Sequence, residues 1–570
     1  MFIVKKIISG KEYYYLRKSV REGNKVISKT VAYLGKNKEE AEKKAKEIEE
    51  KIKNNNLLDE PINNPEISNL EKKDINIDEL ANFCKRKGFV YPSGEIYGGL
   101  SGFWDFGPIG VELRNNIKKE WWKFHIYERD DITGIDGSII TNPKVWKASG
   151  HVDSFTDVYV KCLKCKRPNK IDKNEVGKVN CECGGEYEVI SDFNLMFRTN
   201  VGPVVTDNSL AYLRPETAQL IFADFKLVQD NSRLKLPFGI AQIGKSFRNE
   251  ISPRDFLFRC REFEQMEIEY FIDPEKRKDC PYFKDIEDFE LNVYSEEMQI
   301  AGKEPVRMKV KDAVNQGIIK LHWHGYFLAL ETKWFMSLGA NMNKFRIRQH
   351  LSQERSHYAT DTWDLQYEFP FGWSELQGIA DRGNFDLTQH EKYSNKDLKL
   401  FDEESKKKIL PEVVSEPSLG VERAFLVFLF DSYYYDKKRD NIVLKLNPKL
   451  APVKAAVFPI IKNPEYNKIA EDIVKDLRKE WNINYDKSGS IGRRYSRNDE
   501  IGTPYCITVD EESVLNKDVT IRDRDTTLQI RVKTKDLKDI LRKLINNEIE
   551  FRKAGKIVKT RVKETEEKKE

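Results

Sequence analysis

Residues 244–271 read GKSFRNEISPRDFLFRCREFEQMEIEYF, two runs of strand-forming residues about a short Ser-Pro loop, with far more charge than a hairpin needs. A period of two sets Gln242, Gly244, Ser246, Arg248 and Glu250 on one face of the first run, and Ala241, Ile243 and Phe247 on the other. In the second run Arg259, Arg261, Phe263, Gln265, Glu267 and Glu269 share a face, opposite Met266, Ile268, Tyr270 and Ile272. One face is a core. The other sets arginines, carboxylates and an aromatic ring side by side on rigid strands, which suits a ligand with an anionic, a cationic and a flat apolar part. A phosphorylated nucleotide together with an amino acid answers that description. So does a solvent-exposed hairpin laced with weak cross-strand ion pairs, and on this stretch alone both readings stand.

The whole chain narrows the choice. Its 570 residues suffice for several domains and a large core. Hydrophobic residues make up 39% and charged residues 34%, and no apolar run approaches the roughly 20 residues of a membrane helix, so we expect no membrane partner. The start, MFIVKKIISGKEYYY, carries lysines after four residues and no long apolar segment, so no signal peptide is expected. Eight cysteines, four of them clustered, are too few for a disulfide framework and point to a reducing cytoplasm. Residues 1–53 hold 15 Lys and Arg against 8 Asp and Glu, a net of +7 within a chain total of +5. The basic excess is local to the N-terminus, where a polyanionic partner fits.

Residues 1–55 read as a basic hairpin-plus-helix module: two alternating runs about Glu22-Gly23-Asn24, then NKEEAEKKAKEIEEKIKN. Residues 56–76, rich in Asn and Pro, read as a linker. Residues 77–446 mix strands and helices without a βαβ period, which predicts an α+β domain around an antiparallel sheet. Residues 447–548 alternate cleanly enough for a separate small α/β domain, and 549–570 form a charged tail.

Three further stretches carry chemistry. AYLRPETAQLIF places Glu216 before a helical pattern, where it could simply serve the helix dipole. FPFGWSELQGIADRGNFDL holds Glu375, Asp381 and Arg382 among aromatics and glycines. EPSLGVERAFLVFLF leads into an apolar helix with Glu422 and Arg423 in its first turns; an arginine there is poorly placed for the macrodipole and answers better to an anion.

At these residues a family resemblance becomes specific. KSFRNE, RCREF and PSLGVER are similar, in order and spacing, to the second and third signature motifs of class II aminoacyl-tRNA synthetases. The longer words LRPETAQ, REFEQMEIEYF, FGWSELQGIADRGNFDL and EPSLGVER resemble the dimeric type of glycyl-tRNA synthetase, over residues 89–544. The resemblance implies a class II antiparallel-sheet catalytic domain, a C-terminal anticodon-binding domain, and ATP-dependent ligation of glycine to tRNA(Gly) through glycyl-adenylate. It implies that Arg248 holds the α-phosphate of ATP, Glu250 reads the adenine amino group, Arg259 reaches the terminal phosphates and Phe263 stacks on adenine. Arg423 clamps the far side of the phosphate chain, and Glu375 lies at the nucleotide and its Mg2+ ions. The same motifs add Asn249, Phe258, Leu376 and Gly420 to the nucleotide site. For glycine they imply a small acidic pocket for the ammonium, with Glu216, Glu267 and Glu416, closed by Ser418, and with Phe263, Glu264, Gln265 and Met266 from the same word. No protein nucleophile is required, and none of the seven histidines stands in a triad-like context.

The resemblance extends to partners. GPIGVELRNNIKKEWWKFHIY, followed by GIDGSIITNPKVW, is similar to the first motif, which packs against a second copy and so implies a homodimer. SGSIGRRYSRNDEIG places Arg493, Arg494 and Arg497 together in the anticodon-binding part, as tRNA contacts or as a solvated basic face. Residues 273–362 sit where the family has an insertion near the tRNA acceptor arm. Within an insert at 160–190, Cys162, Cys165, Cys181 and Cys183 form CxxC followed by CxC; a zinc knuckle and a degenerate knuckle held by packing both stay open. The first 75 residues fall outside the resemblance and are read as a supplementary tRNA-binding arm or as a charged appendage. Synthetase-like folds also serve as inactive nucleic-acid-binding accessory subunits. Such relatives lose the ATP arginines or the substrate carboxylates, whereas this chain keeps Arg248, Arg423, Glu216 and Glu267, which favours an active enzyme.

Overall fold

The structure, a computed structural model, describes residues 70–558 apart from 172–175, 355–359 and 404–405, and ahead of them 2–45 apart from 9–10, 23–24, 36, 39 and 41. The linker expected at 56–76 lies outside the described residues as far as 69, and so does the charged tail from 559. Contacts divide the chain into two units, residues 1–71 with 436–438, and the remainder.

In the N-terminal unit the hairpin of Lys11–Glu22 and Lys25–Gly35 gains a third antiparallel strand, Phe2–Ile8, which the sequence reading did not foresee. Tyr14, Leu16 and Leu34 form its small core with Ala45, which lies on the helical backbone at 42–45; the rest of the expected helix past 45 lies outside the described residues.

The second unit is built on a nine-stranded sheet. In chain order its strands are β1 (Ile132–Ile135), β2 (Phe238–Phe247), β3 (Glu262–Ile272), β4 (Glu290–Tyr294), β5 (Val306–Lys309), β6 (Phe345–Gln349), β7 (Asp361–Phe369), β8 (Gly372–Asp381) and β9 (Glu412–Gly420). Across the sheet they run β5-β4-β6-β7-β8-β9-β3-β2-β1, antiparallel except at β1/β2 and β4/β6. This is the α+β architecture expected of 77–446. Met266, Ile268, Tyr270, Trp363, Leu365 and Tyr367 point to one face and meet the helices α1 (Pro108–Trp122), α3 (His322–Ser337) and α4 (Val421–Ser432). α4 is buried almost all round from Ala424 to Phe430, as its unbroken apolar run demands of a core helix. α2 (Ala218–Ser232) packs a second cluster, with Phe222 and Phe225 on Phe238 and Phe271, against the opposite face near one end. What remains of that face is the site.

The C-terminal domain holds β10 (Ala455–Pro459), β11 (Ile483–Tyr485), β12 (Tyr505–Val509), β13 (Asp518–Asp523), β14 (Gln529–Lys533) and β15 (Lys556–Ile557), in spatial order β11-β10-β12-β13-β14-β15, with α5 (Pro464–Leu477) and α7 (Leu537–Ile545) packed on one core. The stretch SGSIGRRYSRNDE, read above only as a basic cluster, is a helix, α6 (Ile491–Glu500), N-capped by Ser490. The junction with the catalytic part is polar: Arg439 donates to Asp499 Oδ2 at 2.7 Å, and Arg524 donates to the Leu446 carbonyl at 2.9 Å.

Candidate active site

The hairpin of β2 and β3 pairs in register from Phe238↔Phe271 to Phe247↔Glu262, and β3 pairs with β9 through Glu267↔Ser418 and Gln265↔Gly420. Gln242, Glu267, Ser418, Gly378 and Asp364 therefore form one row across five strands. Arg248 and Arg259 lie just beyond the strand ends, in the loop that turns from β2 to β3. Gly244 is needed in this wall, because a Cβ there would sit 2.0 Å from the Arg214 guanidinium. Arg214 itself is structural, donating to the Lys245 and Gly137 carbonyls and to Gln242.

A cavity of about 520 Å³ opens on this face, lined among others by Arg248, Glu250, Phe258, Arg259, Phe263, Gln265, Glu375, Ser418, Gly420 and Arg423. Its two arginines of interest are held without tight carboxylate pairing. Arg248 lies over the rings of Phe155 and Phe263 at 5.6 and 5.3 Å and donates one hydrogen bond, to the Pro215 carbonyl at 3.0 Å. Arg423 lies over Phe258 at 4.7 Å, donates to the Glu375 carbonyl at 2.9 Å, and stands 3.3 Å from the Glu375 carboxylate. The Arg423 guanidinium holds the Glu375 carboxyl below its ordinary range, against burial. Arg259 pairs with Glu250 at 2.8 Å. Planar cations stacked on rings, with hydrogen-bonding edges left over, are placed to take phosphate oxygens.

Below Ser418 the floor is acidic. The carboxylates of Glu267, Glu269 and Glu416 all lie within 4.8 Å of one another and are almost wholly buried, with Glu216 beside them. A buried guanidinium, Arg382, answers them; it donates to Glu416 at 2.7 Å and is already held twice by Asp386, at 2.8 and 2.9 Å. Among the described residues, both carboxyl oxygens of Glu269 lack a hydrogen-bond partner. Burial, reinforced by neighbouring carboxylates, pushes Glu267 and Glu269 up, and lifts Glu416 to about 8. Glu216 goes the other way: burial opposes its charge, but His151 at 3.3 Å, Arg382 and Arg248 hold it well below the usual carboxylate range. A floor with this excess of acid is short of one cation.

Not every residue named from the sequence reaches the cavity. Glu264 and Met266 face the other side of β3: Glu264 pairs with Arg114 and Lys118 at 2.8 and 3.1 Å, and Met266 is core. Strand alternation sends them there, so neither side chain meets a ligand on the cavity face. Leu376 is buried in the same core, at a bulge in β8 where Leu365↔Gln377 gives way to Gln366↔Glu375. The extra residue lets Glu375 and Gly378, three positions apart, both line the cavity, while Gln377 turns to Glu331 on α3. Asn249 donates its backbone N–H to Leu195 and is not among the lining residues. Arg494 is a correction. It is 3% exposed and its guanidinium is spent on the carbonyls of Pro459, Ile460 and Asp486. Arg493 and Arg497 are exposed while Arg494 is buried against those carbonyls, so the three arginines do not form one surface patch. Arg493 is exposed, and Arg497 is bound to Asp486 at 2.6 Å.

The sequence reading named Arg382 without giving it a role and missed Asp386, His151 and Phe155 as parts of the site. Arg382 and Asp386, four apart, carried a helix-pair signal. His151 and Phe155 carried none, since they reach the cavity only through the tertiary fold.

In the insert, Cys162 and Cys183 sulfurs stand 3.5 Å apart and Cys165 and Cys181 3.6 Å, and all four lie within 4.8 Å of one another. Zinc–thiolate bonds of about 2.3 Å in a tetrahedron require sulfurs about 3.8 Å apart, so the donor set fits. Gly184, at φ +75°, turns the CxC side, and a Cβ on Gly185 would meet the Cys162 sulfur at 2.7 Å. Backbone N–H bonds, first from Cys165, lower the Cys162 thiol to about 6, against burial.

Comparison with known proteins agrees with this geometry. The family profile described as tRNA synthetase class II core domain (G, H, P, S and T) matches residues 204–429, and that of the anticodon binding domain matches 454–544. The chain is similar to the glycine–tRNA ligase of Bifidobacterium longum, 43% identical over 485 residues that take in 80% of this chain and 90% of that one. It is 41% identical to that of Thermobifida fusca, over 80% and 95% of the two chains, and 42% identical to that of Borreliella burgdorferi, over 84% and 100%. Among solved structures it is similar in fold to a prolyl-tRNA synthetase of Cryptosporidium parvum, at a TM-score of 0.50 and 14% identity over 83% and 78% of the chains.

Proposed function

The chain belongs to the glycine–tRNA ligase family, and from that premise we propose how its cavity joins glycine to tRNA(Gly) with ATP. The observation that carries the reading is the mismatch of charge within one cavity: an acidic floor lacking a cation, and above it the Arg248 guanidinium, with no carboxylate at ion-pair distance among the described residues, lacking an anion. Zwitterionic glycine and the triphosphate of ATP supply both. The ammonium seats among Glu216, Glu267 and Glu416. Ser418, paired across the strands with Glu267, closes the space where a larger side chain would project, and rejection by size is the easy direction of discrimination.

The carboxylate of glycine then points toward Arg248. One of its oxygens attacks the α-phosphorus, the bond from that phosphorus to the bridging oxygen breaks, and pyrophosphate leaves with the electron pair. Arg248 stabilises charge building on the α-phosphate, while Arg259 and Arg423 take the departing end. Glu375 would hold magnesium, which supplies neutralisation of the pyrophosphate charge. In the second step the terminal ribose hydroxyl of tRNA attacks the acyl carbon and AMP leaves. No side chain forms a covalent bond, so catalysis rests on positioning and electrostatics. The inactive accessory-subunit alternative has no support: the ligase names of its relatives and the intact arginines and carboxylates both speak against it.

The test is glycine-dependent ATP/pyrophosphate exchange, with alanine and serine as competitors. Exchange with glycine alone, abolished by Arg248→Ala, is expected; no exchange with any amino acid from folded protein supplied with magnesium would overturn the reading.

Three finer readings accompany it. The four thiols and the glycine turn support one zinc per chain at Cys162, Cys165, Cys181 and Cys183, to be counted by elemental analysis; a metal-free, fully folded protein would leave the knuckle held by packing alone. Ile96 and Tyr97, at 87% and 89% exposure, with Val201, Val204 and Val205, are apolar surface that supports a homodimer, to be weighed by light scattering. Cytoplasmic residence accords with eight unpaired cysteines, and among the described residues no helix is long and apolar enough to cross a membrane.

A further inference from the structure

The cavity face does not end at Glu375. Strand register carries it on through Glu375↔Gln366 to Gln366↔Arg346, on β6. Along β6, Arg346, Arg348 and His350 alternate with the buried Phe345, Ile347 and Gln349, so all three basic residues stand on the cavity side. Two of them have carboxylates. Arg348 is gripped by both oxygens of Glu354 at 2.9 and 3.0 Å, and His350 by Asp364 at 2.8 Å.

Arg346 does not. Among the described residues no carboxylate lies within ion-pair distance of it. Its guanidinium is sandwiched between the rings of Trp373 at 4.5 Å and Tyr294 at 4.9 Å, and its Nε donates to Gln366 Oε1 at 2.7 Å. Glu304 and Glu368 are its nearest acidic neighbours beyond that contact distance, and Arg348 adds like charge. The two terminal nitrogens donate to no described group. This is the same construction as at Arg248, where two rings and a single hydrogen bond hold a guanidinium ready for a phosphate.

The anion cannot be the one that Arg248 and Arg423 already serve. Glu375 pairs with Arg423 and stands between it and the row leading to Arg346, two strand spacings or about 10 Å away. Gln366 and Trp373 line the rim of the cavity, so whatever sits on Arg346 sits at its entrance. The second substrate must bring its terminal hydroxyl into that cavity as an unpaired strand. Single-stranded RNA is held by aromatic faces for its bases and cations for its phosphates, and Arg346 with its two rings supplies both.

We propose that Arg346, clamped between Trp373 and Tyr294 at the cavity rim, binds a backbone phosphate of the single-stranded 3′ end of tRNA and so positions its terminal hydroxyl. The proposal rests on the ligase reading and deepens it. Its experiment compares Arg346→Gln and Arg346→Lys with the unsubstituted protein in two reactions, glycine-dependent exchange and tRNA glycylation. Arg346→Gln is expected to lower kcat/KM for tRNA by about tenfold or more and to reduce the salt slope of tRNA binding by about one, with exchange reduced far less. Arg346→Lys keeps the charge and loses the flat stacking surface, so it should recover the salt slope but only part of the rate. Equal losses in both reactions would assign Arg346 to the adenylation step, and no loss in either would leave the clamp structural; each overturns the proposal. Persistent exchange also certifies that the variants fold. Failure of the ligase reading would show in the unsubstituted protein, failure of this one only in the variants.

Discussion

Arginines have opposite fates in the two domains. In the C-terminal domain Arg522 is locked bidentately on the buried Asp499 at 2.9 and 3.0 Å, Arg531 is shared among Asp510, Asp518 and Glu512, and Arg524 is spent on two carbonyls and Asp525. In the catalytic cavity Arg248 is held by rings and one carbonyl and has no carboxylate at ion-pair distance among the described residues. Both sets are rigid. The difference is that one set is complete within the fold and the other is completed by substrate, so an arginine count says little about function until the partners of each are known.

Removing members of either set should separate stability from activity. The largest effect is expected for Arg522→Ala. It takes from the buried Asp499 its bidentate partner and leaves it only Arg439 at 2.7 Å, and should destabilise the C-terminal domain by about 3 kcal/mol in denaturant unfolding, with exchange retained by whatever fraction stays folded. Arg248→Ala should reverse the pattern, costing about 10²–10³ in the exchange rate with almost no shift in melting temperature. An equal loss of stability there would show that the fold, and not only the substrate, depends on that charge.

Next in size is the acidic floor. Burial and neighbouring carboxylates raise Glu267, Glu269 and Glu416, the last to about 8, so Glu416 on the empty floor holds a proton near neutrality. Ammonium needs these groups ionised, and KM for glycine should therefore fall as pH rises toward 8. The folded-state values lie above the unfolded ones, so the stability these groups lend is present at low pH and lost as pH rises, for Glu416 through about 8. Thermal melts of the empty protein should show that loss, and saturating glycine should flatten it. In Glu416→Gln both trends should weaken; unchanged profiles would place the titration elsewhere.

The smallest effects belong to α6. Arg497→Ala breaks an exposed pair with Asp486 and should cost less than about 1 kcal/mol. Arg493→Gln should alter only the salt dependence of tRNA binding, and Arg494→Gln only stability. Salt dependence that shifted with Arg494 instead would reopen the sequence reading of that helix.

Much of the fold was legible where periodicity was strong: β2 and β3, the apolar α4, and the strands and helices of 455–545. The third strand of the N-terminal sheet and α6 were not, the first because Phe2–Ile8 mixes lysines into a short run, the second because charged residues hid a helical period behind Ser490. At the site, alternation placed Phe263, Gln265 and Glu267 on one face but could not see the bulge at Leu376, which depends on how β8 pairs with β7. Nor could it see His151, brought to Glu216 from another part of the chain. Local pattern reports which way a side chain points along its own strand, whereas a site depends on which strands the fold makes neighbours.

The carboxyl of Glu269, walled in with no partner, makes the site the part of this protein most open to evolutionary erosion. Replacement by leucine would remove the unpartnered polar group and should stabilise the empty fold by about 1–2 kcal/mol, the range that ordinary stabilising substitutions reach. Selection for heat resistance alone would thus favour it early, whereas selection for a floor that takes up an ammonium favours the acid. A descendant released from that duty would show an apolar floor long before its sheet began to decay.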